Sequence, residues 1–202
     1  MNETKIIIDA GHGGRDPGAS GNGIIEKNLN LEISKYMYNR FKQLGIPVKM
    51  TRDSDITLSP IERTDKILNA YGNDPNVIVI SNHVNAGGGE GAEIIYALRN
   101  NSILSDLILE NLKQSGQLIR EAYQRRLPSN PAKDYYFIQR DTGKTQSIIV
   151  EYGFLDTILD ANRLKTNYKS YAEAVVKSVV EYLDLSYDKE DNKNIYTVQK
   201  GD

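Results

Sequence analysis

The sequence predicts an α/β fold, with one domain built on a twisted, mixed but mostly parallel sheet of about six strands that helices flank on both faces. Two observations support this prediction. Short apolar runs of strand length alternate along the chain with segments whose apolar residues recur at helical spacing. The chain also has 202 residues, 39% of them hydrophobic, which suits one ordinary domain with a substantial core. Strands are predicted at residues 5–9, 47–51, 77–82, 92–98, 134–139 and 146–151.

The first helix is predicted over residues 28–44, between the first two strands. Gly45 and Pro47 end it, because glycine favours the turn after a helix and proline cannot continue one. Its apolar side chains repeat every four residues and so line one face: Leu29, Ile33, Met37 and Phe41.

The second helix has the clearest local signal, a complete capping sequence at its start. Ser59 is a favoured N-cap residue and Pro60 suits the first helical position. Glu62 stands three residues after Ser59 and completes a capping box. Gly72 is the expected end of this helix.

Two further helices and a change of composition follow. A third helix is predicted over about 103–123 and a fourth over about 168–183. We expect the folded domain to span residues 1–185. Residues 186–194 are polar and charged and are expected to form a linker. Residues 195–202 have the pattern of the opening strand and turn of a longer unit.

Composition excludes several classes of function. The formal net charge is −2, so no overall basic field attracts nucleic acid. Cysteine is absent, which excludes disulfides, thiolate metal ligands and a cysteine nucleophile. The longest apolar runs are too short to span a bilayer. No apolar signal segment follows Met1, so we expect the protein either to stay cytoplasmic until lysis or to be exported with a leader that is then removed.

The chain has only two histidines, and each lies at the end of a predicted strand. His12 follows the run that ends at Ala10, and His83 follows the run from Val77 to Ile80. Ligand sites of open α/β sheets gather at the carboxyl ends of strands. Two imidazoles there could share one metal ion, with a carboxylate as the third protein ligand of a catalytic zinc.

A glycine-rich segment over residues 9–19 has two interpretations. It could cradle a phosphate in a nucleotide-binding domain, but it contains neither a complete dinucleotide fingerprint nor a Walker sequence. Alternatively, it forms a wide loop that brings His12 close to Glu26, just before the first helix. Taken alone, Glu26 would be a solvated partner of the helix dipole.

Glu151 closes the apolar run from Ser147 to Val150, again at the end of a predicted strand. An ionised carboxylate is costly to bury without a cation or hydrogen bonds. One interpretation is an ion pair at the sheet margin, and the other is a base that takes a proton from a metal-activated water.

Three other features each carry a prediction. Asn85 could orient a substrate, although asparagine before glycine-rich turns is common. Arg63 is expected to form a structural ion pair. The segment from Tyr135 to Phe137 is expected to pack as part of a strand.

Taken together, these residues resemble the zinc-dependent N-acetylmuramoyl-L-alanine amidases of the autolysin and phage endolysin type. The resemblance covers about residues 5–183. It departs from the family pattern at Asn82, where an apolar residue is usual, and before Glu151, where a proline is common. The motifs occur in order at Ile8 to Gly14, Asp16 to Ala19, Glu26–Lys27, Thr51–Arg52, Leu58 to Arg63, Ser81 to Ala86 and Val150 to Leu155.

The resemblance implies one zinc ion per chain, bound by His12, Glu26 and His83, with Glu151 as the catalytic carboxylate. It implies cleavage of the amide between N-acetylmuramic acid and L-alanine in bacterial peptidoglycan, at the cell wall. We also expect the protein to be a monomer. Residues 195–202 resemble the start of a LysM wall-binding repeat. The alternatives are a zinc peptidase that cuts within the stem peptide, a non-catalytic wall-binding module and a nucleotide-binding domain.

Overall fold

In the computed structural model, which describes residues 4–187, the chain folds around a central six-stranded sheet. The strands are β1 (Lys5–Ala10), β2 (Ser20–Gly21), β3 (Ile24–Ile25), β4 (Val48–Met50), β5 (Val77–Asn85), β6 (Ala92–Tyr96), β7 (Ile119–Tyr123), β8 (Arg126–Leu127), β9 (Asn130–Asp134) and β10 (Gln146–Phe154). The helices are α1 (Glu26–Gln43), α2 (Pro60–Tyr71), α3 (Ile103–Gln114), α4 (Phe137–Arg140) and α5 (Ile158–Tyr182).

The central sheet has the order β4-β1-β5-β10-β6-β7. Strands β4, β1, β5 and β10 are parallel to one another, whereas β6 pairs with β10 in the antiparallel sense and β7 is parallel to β6. The sheet is therefore mixed and mostly parallel, as predicted. Because β6 and β7 run in reverse, their first residues lie at the same edge of the sheet as the last residues of β1, β5 and β10.

Helices cover both faces of the sheet, as predicted. Alternate residues of β5 point to opposite faces, so that Ile78 and Ile80 join one buried cluster and Val77 and Val79 join the other. The larger cluster packs against α1, α3 and α5. The smaller cluster is covered by α2 and α4.

The predicted start and end of α2 are confirmed. The backbone N–H of Glu62 donates to Ser59 Oγ at 3.3 Å, and the Ser59 N–H donates to Glu62 Oε2 at 2.8 Å. Gly72 follows the helix in the left-handed region with φ 85°. The predicted start of the first helix at residue 28 is two residues late, since α1 begins at Glu26.

The prediction of a long third helix is wrong in its second half. Helix α3 ends at Gln114, and Gly116 adopts φ 89°, a left-handed conformation that glycine supplies without a steric penalty. The chain then turns and enters β7, where it takes its backbone partners from β6. Helical periodicity in the sequence does not show that the backbone of this segment forms its hydrogen bonds with β6 instead of continuing the helix.

The predicted strand at 134–139 is also wrong. Asp134 ends the β8–β9 hairpin, and Phe137–Arg140 form the short helix α4, so that β7 supplies the sixth strand of the sheet. The segment from Tyr135 to Phe137 therefore does not pack as a strand. Gln139 fixes the turn by donating from Nε2 to the carbonyl of Ile95 at 2.8 Å.

The fourth predicted helix begins ten residues earlier than expected. Helix α5 starts at Ile158, because Ala161 and Leu164 continue the buried face to which Tyr171 belongs. Within residues 4–187, no helix is long and apolar enough to cross a membrane. The predicted linker from residue 188 onward and the LysM-like residues 195–202 lie outside the described residues.

Candidate metal centre and active site

The fold brings the two histidines and Glu151 to one edge of the sheet. His12 lies two residues beyond β1, and His83 lies near the end of β5, which is the neighbour of β1. Glu151 of β10 stands directly beside His83 in the register of these parallel strands. The expectation that strand ends gather these side chains is therefore correct.

Glu26 reaches the same point from the other side, as the first residue of α1. The β2–β3 hairpin leads into this helix, and the Glu26 N–H donates to the Ala19 carbonyl at 3.0 Å. Its side chain is only 5% exposed, so Glu26 is not a solvated partner of the helix dipole. Its Oε2 accepts from the N–H of Ala19 at 2.9 Å, and its Oε1 accepts from the N–H of Val84 at 3.2 Å.

His12, Glu26 and His83 form a compact group of potential metal ligands. Glu26 Oε1 lies 3.1 Å from His12 Nε2 and 3.0 Å from His83 Nδ1. One ligand atom from each residue lies within 4.8 Å of the others. Ligands of a tetrahedral zinc at about 2.0–2.1 Å lie roughly 3.3 Å apart. The donor types and their spacing therefore fit a zinc ion.

Contacts around this group fix the orientation of its side chains. His12 Nδ1 lies 2.8 Å from Asp16 Oδ2, which directs the opposite ring nitrogen toward Glu26. A carboxylate on the second nitrogen is the usual partner of a metal-binding histidine. Asn30, one turn along α1 from Glu26, donates from Nδ2 to Glu26 Oε1 at 3.3 Å.

Two glycines leave room for the group. A Cβ at Gly18 would lie 2.5 Å from Glu26 Oε2 and 2.8 Å from a ring carbon of His12, and its φ of 66° disfavours any other residue. A Cβ at Gly11 would lie 2.3 Å from the His83 ring. The structure thus agrees with the interpretation of this segment as a loop that brings His12 to Glu26.

The electrostatics of the group favour positive charge at its centre. Burial acts to lower the pKa of His12, but hydrogen bonds and charge from Glu26 and Asp16 outweigh it and raise that pKa to about 9. Burial also acts to lower the pKa of His83, but the hydrogen bond and the charge of Glu26 outweigh burial and raise that pKa. Against its own burial, the two imidazoles hold the pKa of Glu26 well below its usual range.

Glu151 differs from these residues because one of its carboxylate oxygens has no hydrogen-bond partner among the described residues. Its Oε2 atom is buried and accepts no hydrogen bond from any residue that the structure describes. Burial raises the pKa of Glu151 to about 7, with the nearby Glu26 and Glu93 adding to the rise and His83 opposing it. A carboxyl group that titrates near neutrality is suited to proton transfer.

Glu151 and both histidines line a cavity of about 180 Å³. Helix α4 and the start of α2 form its apolar wall, which includes Tyr136 and Phe137. These two aromatic residues therefore flank the candidate site. The remaining lining residues are Asp9, Gly11, Asp16, Leu58, Pro60, Arg63, Ser81, Ile138 and Ile149.

Beneath the loop that carries His12, a buried ion pair joins β1 to α2. Arg63 Nη1 donates to Asp9 Oδ1 at 2.6 Å, so the predicted structural role of Arg63 is confirmed. Arg63 Nη2 also donates to the carbonyl of His12 at 2.9 Å. Thr51 and Ser81 donate their hydroxyl groups to the Asp9 carboxylate at 2.6 and 2.7 Å. Asp9 was not singled out in the sequence, although an acidic residue inside an apolar run signals a buried partner.

On the opposite face of the sheet lies Asn82, at the position where the family resemblance led us to expect an apolar residue. Its side chain is fully buried, and both its nitrogen and its oxygen form hydrogen bonds. Nδ2 donates to Ser34 Oγ at 2.8 Å, and Oδ1 accepts from the Tyr152 hydroxyl at 2.9 Å. These bonds link β5, α1 and β10, the three elements that carry His83, Glu26 and Glu151.

Asn85 lies at the end of β5, two residues beyond His83. Its Nδ2 donates to Glu93 Oε2 at 3.2 Å, and its Oδ1 accepts from the N–H of Ala86 at 2.9 Å. The assignment of Asn85 to substrate binding stays a prediction.

The fold and the site together define a class of protein, an α/β hydrolytic enzyme with a dispersed group of side chains able to hold one metal ion. The chain belongs to the N-acetylmuramoyl-L-alanine amidase family, whose family model, Amidase_3, matches residues 6–182. It is therefore an enzyme that hydrolyses amide bonds of peptidoglycan.

Curated relatives come from several biological settings. The chain is 32% identical over 211 residues to the sporulation-specific N-acetylmuramoyl-L-alanine amidase of Bacillus subtilis, covering 98% of this chain and 74% of that protein. It is 30% identical over 193 residues to the endolysin of Bacillus phage SPP1, covering 90% and 67% of the two chains.

Solved amidase structures share the fold. The CwlD amidase of Clostridioides difficile, solved in complex with the GerS lipoprotein, superposes with a TM-score of 0.78 at 27% identity, covering 90% of this chain and 99% of that one. The amidase AmiC2 of Nostoc punctiforme gives a TM-score of 0.76 at 25% identity, covering 90% and 97%.

Proposed function

We propose that this enzyme cleaves the amide between N-acetylmuramic acid and L-alanine at the bacterial cell wall, with one zinc ion held by His12, Glu26 and His83. The observation that carries the proposal is the position of Glu26 Oε1, about equally far from a nitrogen of each histidine. When bound, zinc supplies a Lewis acid that polarises the scissile carbonyl and makes water more acidic.

The residues around the ligands prepare the site for this chemistry. Asp16 holds the His12 ring in one orientation, and the backbone N–H groups of Ala19 and Val84 hold the Glu26 carboxylate. Such outer contacts set the tautomer and basicity of metal ligands. The site is therefore preorganised by contacts that do not depend on the substrate.

In the proposed mechanism, Glu151 moves the proton. Its carboxylate, whose Oε2 atom has no hydrogen-bond partner among the described residues, lines the same cavity as His12 and His83 and can accept a proton from the attacking water. A C–O bond forms at the lactyl carbonyl carbon, and the C–N bond to alanine then breaks. Glu151 returns the proton to the departing amine, so that the carboxylate is regenerated at the end of the cycle.

The test is Glu151→Gln, which keeps the shape of the side chain but removes its ability to accept the proton. We expect turnover to fall at least about a hundredfold while zinc content stays near one per chain. Zinc is measured by elemental analysis and turnover by release of peptides from purified walls. Glu32→Gln, an exposed site on α1, is the matched control and should retain full turnover.

Product analysis separates the proposal from its alternative. The amidase releases stem peptides with a free N-terminal alanine, whereas a zinc peptidase would leave alanine attached to the sugar. Chelation should abolish turnover by the unmodified enzyme, and added zinc should restore it. Turnover by Glu151→Gln at the level of the control, or turnover by zinc-free protein, would contradict the proposal.

A further inference from the structure

A row of polar side chains continues from the candidate site across the reversed strands of the sheet. Glu93 of β6 pairs with Glu151 of β10 in the antiparallel register, so the two side chains share a face of the sheet. Arg120 of β7 comes next and forms an ion pair with Glu93 through its Nε atom. The row therefore runs over three adjacent strands from Glu151 to Arg120.

An irregularity in β7 directs Arg120 into this row. Ala92 is opposite Ile119, whereas Ile94 is opposite Ala122, so Arg120 and Glu121 together face the single residue Glu93. This is a β-bulge, a feature that occurs next to active sites and redirects a side chain. Because of it, Ile119 and Ala122 pack into the same core cluster although they are three residues apart.

The Arg120 side chain is held in place but keeps most of its hydrogen-bonding capacity. Its guanidinium carbon lies 5.5 Å from the centre of the Phe154 ring, and Cγ would lie 3.2 Å from a Cβ at Gly91. Glu93 is itself fixed by Asn85. Of the five N–H donors of an arginine, only that of Nε has a partner in residues 4–187. The side chain is 43% exposed, so a ligand can reach the remaining donors.

We propose that Arg120 binds a carboxylate on the peptide part of the substrate. A guanidinium with free Nη groups matches the planar, two-oxygen geometry of a carboxylate. Neighbouring strands are about 4.8 Å apart, so Arg120 lies roughly 10 Å from Glu151, two strands away. Extended peptide spans about 3.3–3.6 Å per residue, which places the bound carboxylate on the second or third residue beyond the scissile amide.

This inference rests on the proposed function, because it takes the scissile amide to lie beside Glu151. It assigns distinct roles to the members of the row. Glu151 acts on the reacting atoms, Arg120 selects the substrate, and Glu93 and Asn85 hold Arg120 in position.

The test uses pairs of soluble wall fragments whose two members differ only at the second or only at the third peptide residue, which carries a free carboxylate in one member and a carboxamide in the other. We expect the unmodified enzyme to prefer the carboxylate by about five- to tenfold in kcat/KM, mainly through KM. Arg120→Gln should abolish the preference by raising KM for the carboxylate fragment. Arg120→Lys, which keeps the charge but not the planar fork, should retain part of it.

Two further variants separate recognition from folding. Arg126→Gln removes the same charge from β8 and should keep the full preference. The double variant Glu93→Gln with Arg120→Gln leaves no unpaired charge, and it should also lose the preference while keeping its thermal unfolding midpoint.

Equal turnover of both members of every fragment pair by the unmodified enzyme would overturn the inference, as would a preference that survives Arg120→Gln. A loss of kcat by Arg120→Gln that is equal for the two fragments would also overturn it, because that result assigns Arg120 a purely structural role. The proposed function is tested separately, because its failure would appear as full turnover by Glu151→Gln and not as a change in preference between the fragments.

Discussion

Asp9 and Glu151 are two carboxylates at the same edge of the sheet, and they differ in the hydrogen bonds that their surroundings provide. Asp9 is fully buried and receives hydrogen bonds from Arg63, Thr51 and Ser81. Glu151 has a buried oxygen with no hydrogen-bond partner among the described residues. Asp9 lies one residue before the end of β1 and Glu151 three residues before the end of β10, and both point to the face that α2 and α4 cover.

The pKa values follow this difference. Burial acts to raise the pKa of Asp9, but the charge of Arg63 and the hydroxyl donors outweigh it and leave the pKa below its ordinary value. At Glu151 burial prevails and raises the pKa to about 7. A satisfied carboxylate stabilises the fold, whereas an unsatisfied one remains free to exchange a proton. Asp9 is therefore suited to stabilising the fold, and Glu151 to exchanging a proton.

The largest expected effect on folding comes from Arg63→Met, which leaves the Asp9 charge buried and uncompensated. We expect the free energy of unfolding in urea to fall by about 3–5 kcal/mol. Arg126→Met, an exposed site, should change it by less than about 0.5 kcal/mol. A loss below about 1 kcal/mol for Arg63→Met would show that the ion pair does not hold this edge of the sheet.

A smaller effect is expected from acid. Because the pKa of Asp9 is lowered in the folded protein, its contribution to stability is complete above the carboxyl pKa of the unfolded chain. That contribution is lost as the pH falls through the folded value. Unfolding in urea from pH 7 downward should show stability decreasing with acid, and the slope should be shallower in Asp9→Asn. An identical slope in the two proteins would remove Asp9 from the set of acid-sensitive groups.

The smallest effect on folding, and one of opposite sign, is expected at Glu151. Replacing it with leucine removes a buried oxygen that has no partner, so the metal-free protein should gain about 1 kcal/mol or lose nothing. The same change should abolish turnover, since no group remains to accept the proton. Urea unfolding after chelation provides the measurement. A destabilisation as large as that of Arg63→Met would mean that Glu151 serves the fold and would break the comparison.

The sequence predicts most strands of the central sheet but not β7, which lies at its edge. Strands β1, β5 and β10 are evident as apolar runs, and α2 is evident from its capping box. Strand β7 is missed because Ile119 and Tyr123 also fit the period of the preceding helix. Its pairing with β6 is a long-range contact, which local periodicity cannot show.

The residues of the candidate site, by contrast, could be predicted because they carry local signals in the sequence. Histidine is rare in this chain, so two histidines at strand ends stand out, and the ordered motifs of the amidase family add Glu26 and Glu151. The residues missed were Asp9 and Arg120. Their importance depends on what faces them across α2 or β6, and neither contact has a signal at fixed sequence spacing.

By itself, the sequence determined the fold class, the capping of α2 and the side chains available for chemistry, because these depend on local composition and periodicity. Only the tertiary structure decided which carboxylate is neutralised and which keeps a buried oxygen without a hydrogen-bond partner among the described residues. The reason is physical. The pKa of a buried group depends on the donors and charges within a few ångströms of it, and here these come from strands and helices that are distant in the chain.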